Sequence, residues 1–152
     1  MTDARSLTLS FPPPNPPATE NYIRGLHWAK ARRRLGPWKT AAQYAWTALS
    51  VAERELVSGQ PCVVQVELPF RTSQHRDPHN YVGTVCKAIV DGLKSDYVAP
   101  FRGAKKVETF RGAWPDDTPE WVTVLEPICE RRDGDVIVRI TIREPAAREE
   151  SS

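Results

Sequence analysis

Cysteine is scarce in this chain. Cys62, Cys86 and Cys129 are far apart, odd in number and form no C-x-x-C pair. Such a set excludes a disulfide framework and a zinc knuckle and fits a reducing compartment, so a cytoplasmic location is expected. Each is flanked by apolar residues, which suits a small buried hydrophobe. No apolar run approaches the ~20 residues of a membrane span, and the first residues lack a basic region followed by an apolar one. Neither a membrane partner nor a secretory leader is therefore expected. There is no internal repeat. Acid is missing from residues 24–39, which carry Arg24, Lys30, Arg32, Arg33, Arg34 and Lys39. Residues 94–111 add Lys94, Arg102, Lys105, Lys106 and Arg111 against Asp96 and Glu108. This is the charge distribution expected where an anionic ligand meets basic rims around an acidic centre.

What is present describes one globular domain over 152 residues, with 40% hydrophobic and 26% charged side chains. Residues 6–11 alternate as a short strand and run into the prolines of 12–17, which cannot be helical. The basic segment 21–37 is either a loop or a short surface helix, punctuated by Gly36-Pro37. From Trp38 to about Val57, Ala41, Ala42, Ala45, Trp46, Leu49, Ala52 and Leu56 recur at helical spacing, and Ser58-Gly59-Gln60-Pro61 stops the helix. Residues 62–70 alternate as a strand. A second helix is expected from Asp77, an N-cap residue followed by proline at the first helical position. On a uniform helix Asn80, Thr84, Lys87 and Asp91 fall within roughly 60° of one another, while Val82, Val85, Ile89 and Leu93 face the sheet. Residues 94–113 show no period and are expected to be an inserted loop. Residues 121–127 and 135–143 are predicted strands, and the Asp133-Gly134 between them predicts an antiparallel hairpin. The tail 144–152 is polar and expected to be flexible.

The chemistry-bearing residues concentrate between Arg76 and Asp117. Asp77, His79, Asp116 and Asp117 are groups that bind divalent cations, and carboxylates suit Mg²⁺ or Mn²⁺, ions used in phosphodiester hydrolysis. Taken singly, each also has a structural explanation: Asp77 as a cap, Asp116 and Asp117 as turn residues, His79 as an exposed first-turn histidine. Their combination with Lys87 on a polar helix face is the functional signal.

The run RDPHNYVGTVCKAIVDGL, followed by WPDDTPEWV, resembles the RusA-type Holliday junction resolvases, in particular versions from phages of actinobacteria. The resemblance implies a homodimeric α+β fold, a small mixed β-sheet packed by two main helices. It also implies an Mg²⁺- or Mn²⁺-dependent endonuclease that nicks four-way DNA junctions symmetrically. It assigns Asp77 and Asp117 as metal-binding aspartates with Asp116 beside them, Lys87 as the essential lysine, Asp91 as the aspartate that follows it, and Asn80 as support for the first loop. Arg71, Arg76, Arg32, Arg33 and Arg34 are expected to bind DNA, and Lys105 and Lys106 to reach junction arms.

Three features depart from the family pattern. His79 replaces a second aspartate, and imidazole binds Mn²⁺ more readily than Mg²⁺. The stretch from Asn80 to Lys87 is about one helical turn longer than in the commonest form. The 94–113 segment replaces a short connection. Two other readings stay open: a DNA-structure-binding protein that has lost turnover, and a branched-DNA nuclease acting on flaps or forks without junction preference.

Overall fold

Strand β2 (Cys62–Phe70) is the axis of the molecule, a computed structural model of which describes residues 5–143. Its alternation buries Cys62, Val64, Val66 and Leu68 completely on one face. Strand β7 (Val136–Ile142) pairs antiparallel along one edge of β2, and β1 (Ser6–Phe11) pairs antiparallel with β7. On the other edge β5 (Val122–Val124) and β6 (Ile128–Arg131) both run parallel to β2. The result is a mixed five-stranded sheet, with a separate two-stranded ribbon made by β3 (Asp96–Val98) and β4 (Val107–Phe110). The inner face adds Leu7, Leu9, Phe11, Val136, Val138 and Ile140 to the core, whereas Ser6, Thr8, Ser10 and Arg139 remain exposed on the other.

Two helical elements cover the inner face. Helix α2 (Trp28–Thr47) presents Trp38, Ala42 and Trp46 at successive i, i+4 positions, one buried stripe. Helix α4 (Lys87–Leu93) buries Ala88, Ile89, Val90, Gly92 and Leu93. Where the two meet, a Cβ on Gly92 would lie 2.3 Å from the Lys39 carbonyl oxygen, so only glycine permits this approach. Short helices α1 (Glu20–Arg24) and α3 (Val51–Glu55) complete the α+β fold, α3 opening with a capping box between Ser50 and Glu53. Among the described residues no helix is long and apolar enough to cross a membrane.

Several sequence expectations need correction. Gly36-Pro37 does not end a helix; Pro37 lies inside α2. The proline-rich strap compensates for it. Asn15 donates from Nδ2 to the Arg34 carbonyl (2.9 Å) and accepts from Trp38 Nε1 (2.8 Å), while Arg34 Nη2 donates to the Pro16 carbonyl (2.6 Å). Long-range bonds thus brace the turn in which a ring nitrogen replaces a donor. Conversely, the helix expected from Trp38 to Val57 stops at Thr47 and restarts as α3 at Val51.

The Asp133-Gly134 turn does reverse the chain, with Gly134 at φ 113°, but β6 and β7 do not pair. β2 lies between them, and the turn crosses its end, where the Arg132 amide donates to the Phe70 carbonyl (2.9 Å). A turn motif fixes the direction of return and leaves open which strand fills the gap. Pro127 divides the edge into β5 and β6, since it has no amide to donate to β2. The expected 94–113 loop contains the β3–β4 ribbon. The 144–152 tail lies outside the described residues.

Candidate functional site

Asp77 begins the helical run as anticipated. It caps a 3-10 turn (Pro78–Tyr81) and accepts from the His79 amide at 3.1 Å. The run is not uniform, however: a π-helical turn (Val82–Cys86) separates that 3-10 turn from α4. The changed pitch shifts the phase of the polar stripe. Thr84 is buried and donates its hydroxyl to the Ala18 carbonyl (2.6 Å), a correction to its expected place on the open face. Lys87 and Asp91, both within α4, keep their i, i+4 relationship. π-Turns occur frequently at functional sites.

Asp117 reaches Asp91 because the ends of the 94–113 segment are stitched together. The Ala113 amide donates to the Leu93 carbonyl (2.8 Å), the Ser95 amide to the Trp114 carbonyl (2.9 Å), and the Gly112 amide to Ser95 Oγ (3.0 Å). A Cβ on Gly112 would fall 2.0 Å from the Leu93 carbonyl oxygen. Trp114 is buried in the core and donates its indole N–H to the Val90 carbonyl at 3.3 Å. Three residues later the Asp117 carboxyl hydrogen-bonds to that of Asp91. Asp116 turns back on its own bend, its Oδ1 accepting from the Asp117 amide (2.8 Å).

The two carboxyls titrate apart. Burial pushes the Asp91 carboxyl above the usual aspartate range, the hydrogen bond to Asp117 adds to this, and Lys87 and Lys94 oppose it. Asp117 is held below the usual range, first by the Asp91 hydrogen bond, with Asp116 and Lys94 assisting. The pair therefore titrates unequally, Asp117 losing its proton before Asp91. Lys94 is the cation that sequence periodicity did not assign to the site. It follows the end of α4, where helical spacing has no reach.

The remaining expected residues make contacts of their own. His79 Nδ1 stands 3.4 Å from Glu126 Oε1, with both side chains exposed. Burial raises the pKa of the Cys129 thiol, Arg76 opposes the rise and Asp77 adds to it. Asn80 lines a groove with Pro16, Thr19, Arg76 and Asp77. Among the described residues no three His, Cys, Asp or Glu side chains converge as a metal-holding group. The Asp91–Asp117 pair nevertheless suits a divalent cation by donor chemistry. Its oxygens are hard donors, and a cation between them would compensate their charge.

Of the expected DNA contacts, several make bonds within the chain. Arg76 lies over the Phe70 ring (3.9 Å) and donates to the Thr72 and Gln74 carbonyls, so it shapes the 71–77 loop. Arg71 faces Asp133 at 3.5 Å. Arg32 stacks over Trp28 (5.2 Å) and Arg34 over Tyr22 (5.6 Å). Arg33, Lys105 and Lys106 are exposed.

Compared with models of known protein families, with curated proteins and with solved structures, the chain gives no match.

Proposed function

We propose that this chain is a metal-dependent endodeoxyribonuclease of the RusA type, resolving four-way DNA junctions by paired symmetric nicks. The observation that carries the reading is the hydrogen-bonded pair Asp91–Asp117 with Lys87 and Lys94 acting on it. Two crowded carboxylates beside two ammonium groups at an open surface match the needs of phosphodiester hydrolysis better than those of stability. A carboxyl whose pKa is raised by burial gains little for the fold when ionised, whereas perturbed acids cluster where chemistry is done.

In this reading Asp91 and Asp117 hold Mg²⁺ or Mn²⁺, with Asp116 adjoining. The ion, when bound, supplies charge against the scissile phosphate and favours deprotonation of the attacking water. The chain's own contribution is positional. Lys87 offers an ammonium to the phosphate oxygens that gain charge as the bond breaks. Lys94 keeps Asp117 ionised and ready to bind. Trp114, locked to Val90, sets where the acids stand. Asp77 and His79, earlier on the same helical run, act at the margin of the site, and exposed Arg33 supplies salt-sensitive phosphate contact. A homodimer would present two such sites to the two opposed strands of a junction.

The test is cleavage of a synthetic four-way junction across a metal series, with flaps and forks as competing substrates. Paired nicks in Mg²⁺ or Mn²⁺ support the reading. A second reading, junction binding without turnover, draws on the engagement of His79 with Glu126 (3.4 Å). Binding with no nick under any metal would establish that reading instead.

A further inference from the structure

The β3–β4 ribbon is a poor candidate for scaffold. Among the described residues it pairs with no other strand, and a lone two-stranded ribbon is marginal in water. Its base is nonetheless well fixed. Trp46 Nε1 donates to the Arg111 carbonyl (2.9 Å), Gln43 Nε2 to Asp96 Oδ2 (3.3 Å), and the Gly59 amide to the Ala113 carbonyl (3.1 Å). Its outer part is ordered by a turn: the Ala104 amide donates to the Phe101 carbonyl (3.1 Å), and Gly103 takes φ 85°, the glycine position of a type II turn. A firmly seated ribbon therefore holds its tip out into solvent.

That tip has a distinctive chemistry. Phe101 is 70% exposed, and Tyr97 and the cross-strand pair Val98–Val107 are exposed below it. Between Asp96 and Glu108 the chain carries Arg102, Lys105 and Lys106 and no acid. The two flanking acids are engaged at the base, Asp96 with Gln43 and Glu108 with Arg111 (3.0 Å). An exposed aromatic ring among unopposed cations is the combination that binds single-stranded nucleic acid, by stacking and by phosphate contact. Lys106 and Tyr97 also share one concavity with Asp116, so the ribbon and the acidic site border the same groove.

We infer that the 96–110 ribbon grips unpaired nucleotides beside the branch point, with Phe101 stacking on a base and Lys105 and Lys106 holding phosphates. The ribbon thereby delivers the adjoining strand to Asp116 and Asp117. The inference rests on the nucleic-acid reading proposed above and adds to it the substrate feature recognised: a base free to leave its stack. A fully paired duplex lacks that feature and binds through the cations alone.

The experiment uses a four-way junction with 2-aminopurine at the branch point, in EDTA, so that binding is read without cleavage. Wild-type protein should raise the fluorescence as the base leaves its stack. Phe101→Ala should lose that rise and bind roughly 10-fold more weakly, while Phe101→Trp retains both. Replacing Lys105 and Lys106 by Ala should reduce the slope of log affinity against log salt by roughly 2. Wild-type fluorescence, affinity and salt slope in all these variants would overturn the inference. So would a change from dimer to monomer in Phe101→Ala, since the tip would then be a protein interface, and so would a wild type that binds no branched DNA. A protein that binds and distorts the junction in this way but never cuts it when Mg²⁺ or Mn²⁺ is added refutes the nuclease and supports the ribbon. Normal cutting with silent ribbon variants does the reverse.

Discussion

The carboxyl groups of Asp91, in the last turn of α4, and Asp117, beyond the ribbon, are hydrogen-bonded to each other across a 26-residue separation in the chain. Burial and this contact raise the Asp91 pKa while that of Asp117 is lowered, and Lys87 and Lys94 oppose the rise at Asp91. A carboxyl whose pKa is raised by folding costs stability once it is ionised.

Asp91→Asn should therefore stabilise the metal-free protein near neutral pH, raising Tm by ~2–4 °C, while removing activity. The pH dependence has a definite sign. Asp91, raised in the folded state, contributes stability that is present at acid pH and lost as pH rises through its folded value. Asp117, lowered in the folded state, contributes stability present above the ordinary aspartate range and lost as pH falls through its folded value. The advantage of the variant should grow from acid to neutral pH in thermal melts, and added Mg²⁺ should narrow it by stabilising only the wild type.

Lys87→Ala should lower single-turnover cleavage by ~10²-fold or more, with junction affinity changed only a few-fold, if its ammonium meets the charge that develops as the bond breaks, as proposed. Equal losses in binding and cleavage would make Lys87 an ordinary phosphate contact.

Gly92→Ala tests the packing that places Asp91. The new methyl would meet the Lys39 carbonyl oxygen at 2.3 Å, so α4 must move away from α2. A loss of ~1–3 kcal/mol in urea unfolding is expected. Asn15→Ala should cost about as much, ~1–3 kcal/mol, by leaving the buried Trp38 indole N–H without its acceptor.

Thiol chemistry offers an independent check on the core. Burial pushes the Cys62 thiol up to about 11 and, helped by Cys129, the Cys86 thiol up to about 12. Both should resist a thiol reagent at pH 8 until the protein unfolds. Their contribution to stability is present below the ordinary thiol pKa and lost as pH climbs through these raised values, so alkaline unfolding should shift to higher pH in Cys86→Ala relative to its own neutral stability.

The sequence was legible where local pattern and tertiary structure agree. Strands 6–11 and 62–70 alternate because one face is buried, and Asp77-Pro78 caps a helical turn because the Asp77 carboxylate accepts from the His79 amide. It was misleading where distant residues intervene. Asn15 rescues the helix across Pro37, β2 separates two strands that a turn motif would pair, and a π-turn rotates Thr84 off the wheel. The candidate site divides in the same way. Lys87 and Asp91 follow from helical spacing, and Asp117 from its motif. That Asp117 should settle on Asp91 depends on Trp114 and on the stitched base of the ribbon, neither of which has a local signature.

The most direct measurement is the cleavage of a four-way junction by wild-type protein and by Asp117→Asn in Mg²⁺ and in Mn²⁺, with junction binding followed in parallel. The account predicts paired nicks by the wild type, none by the variant, and similar binding by both. Metal-dependent nicking by Asp117→Asn at the wild-type rate would contradict it.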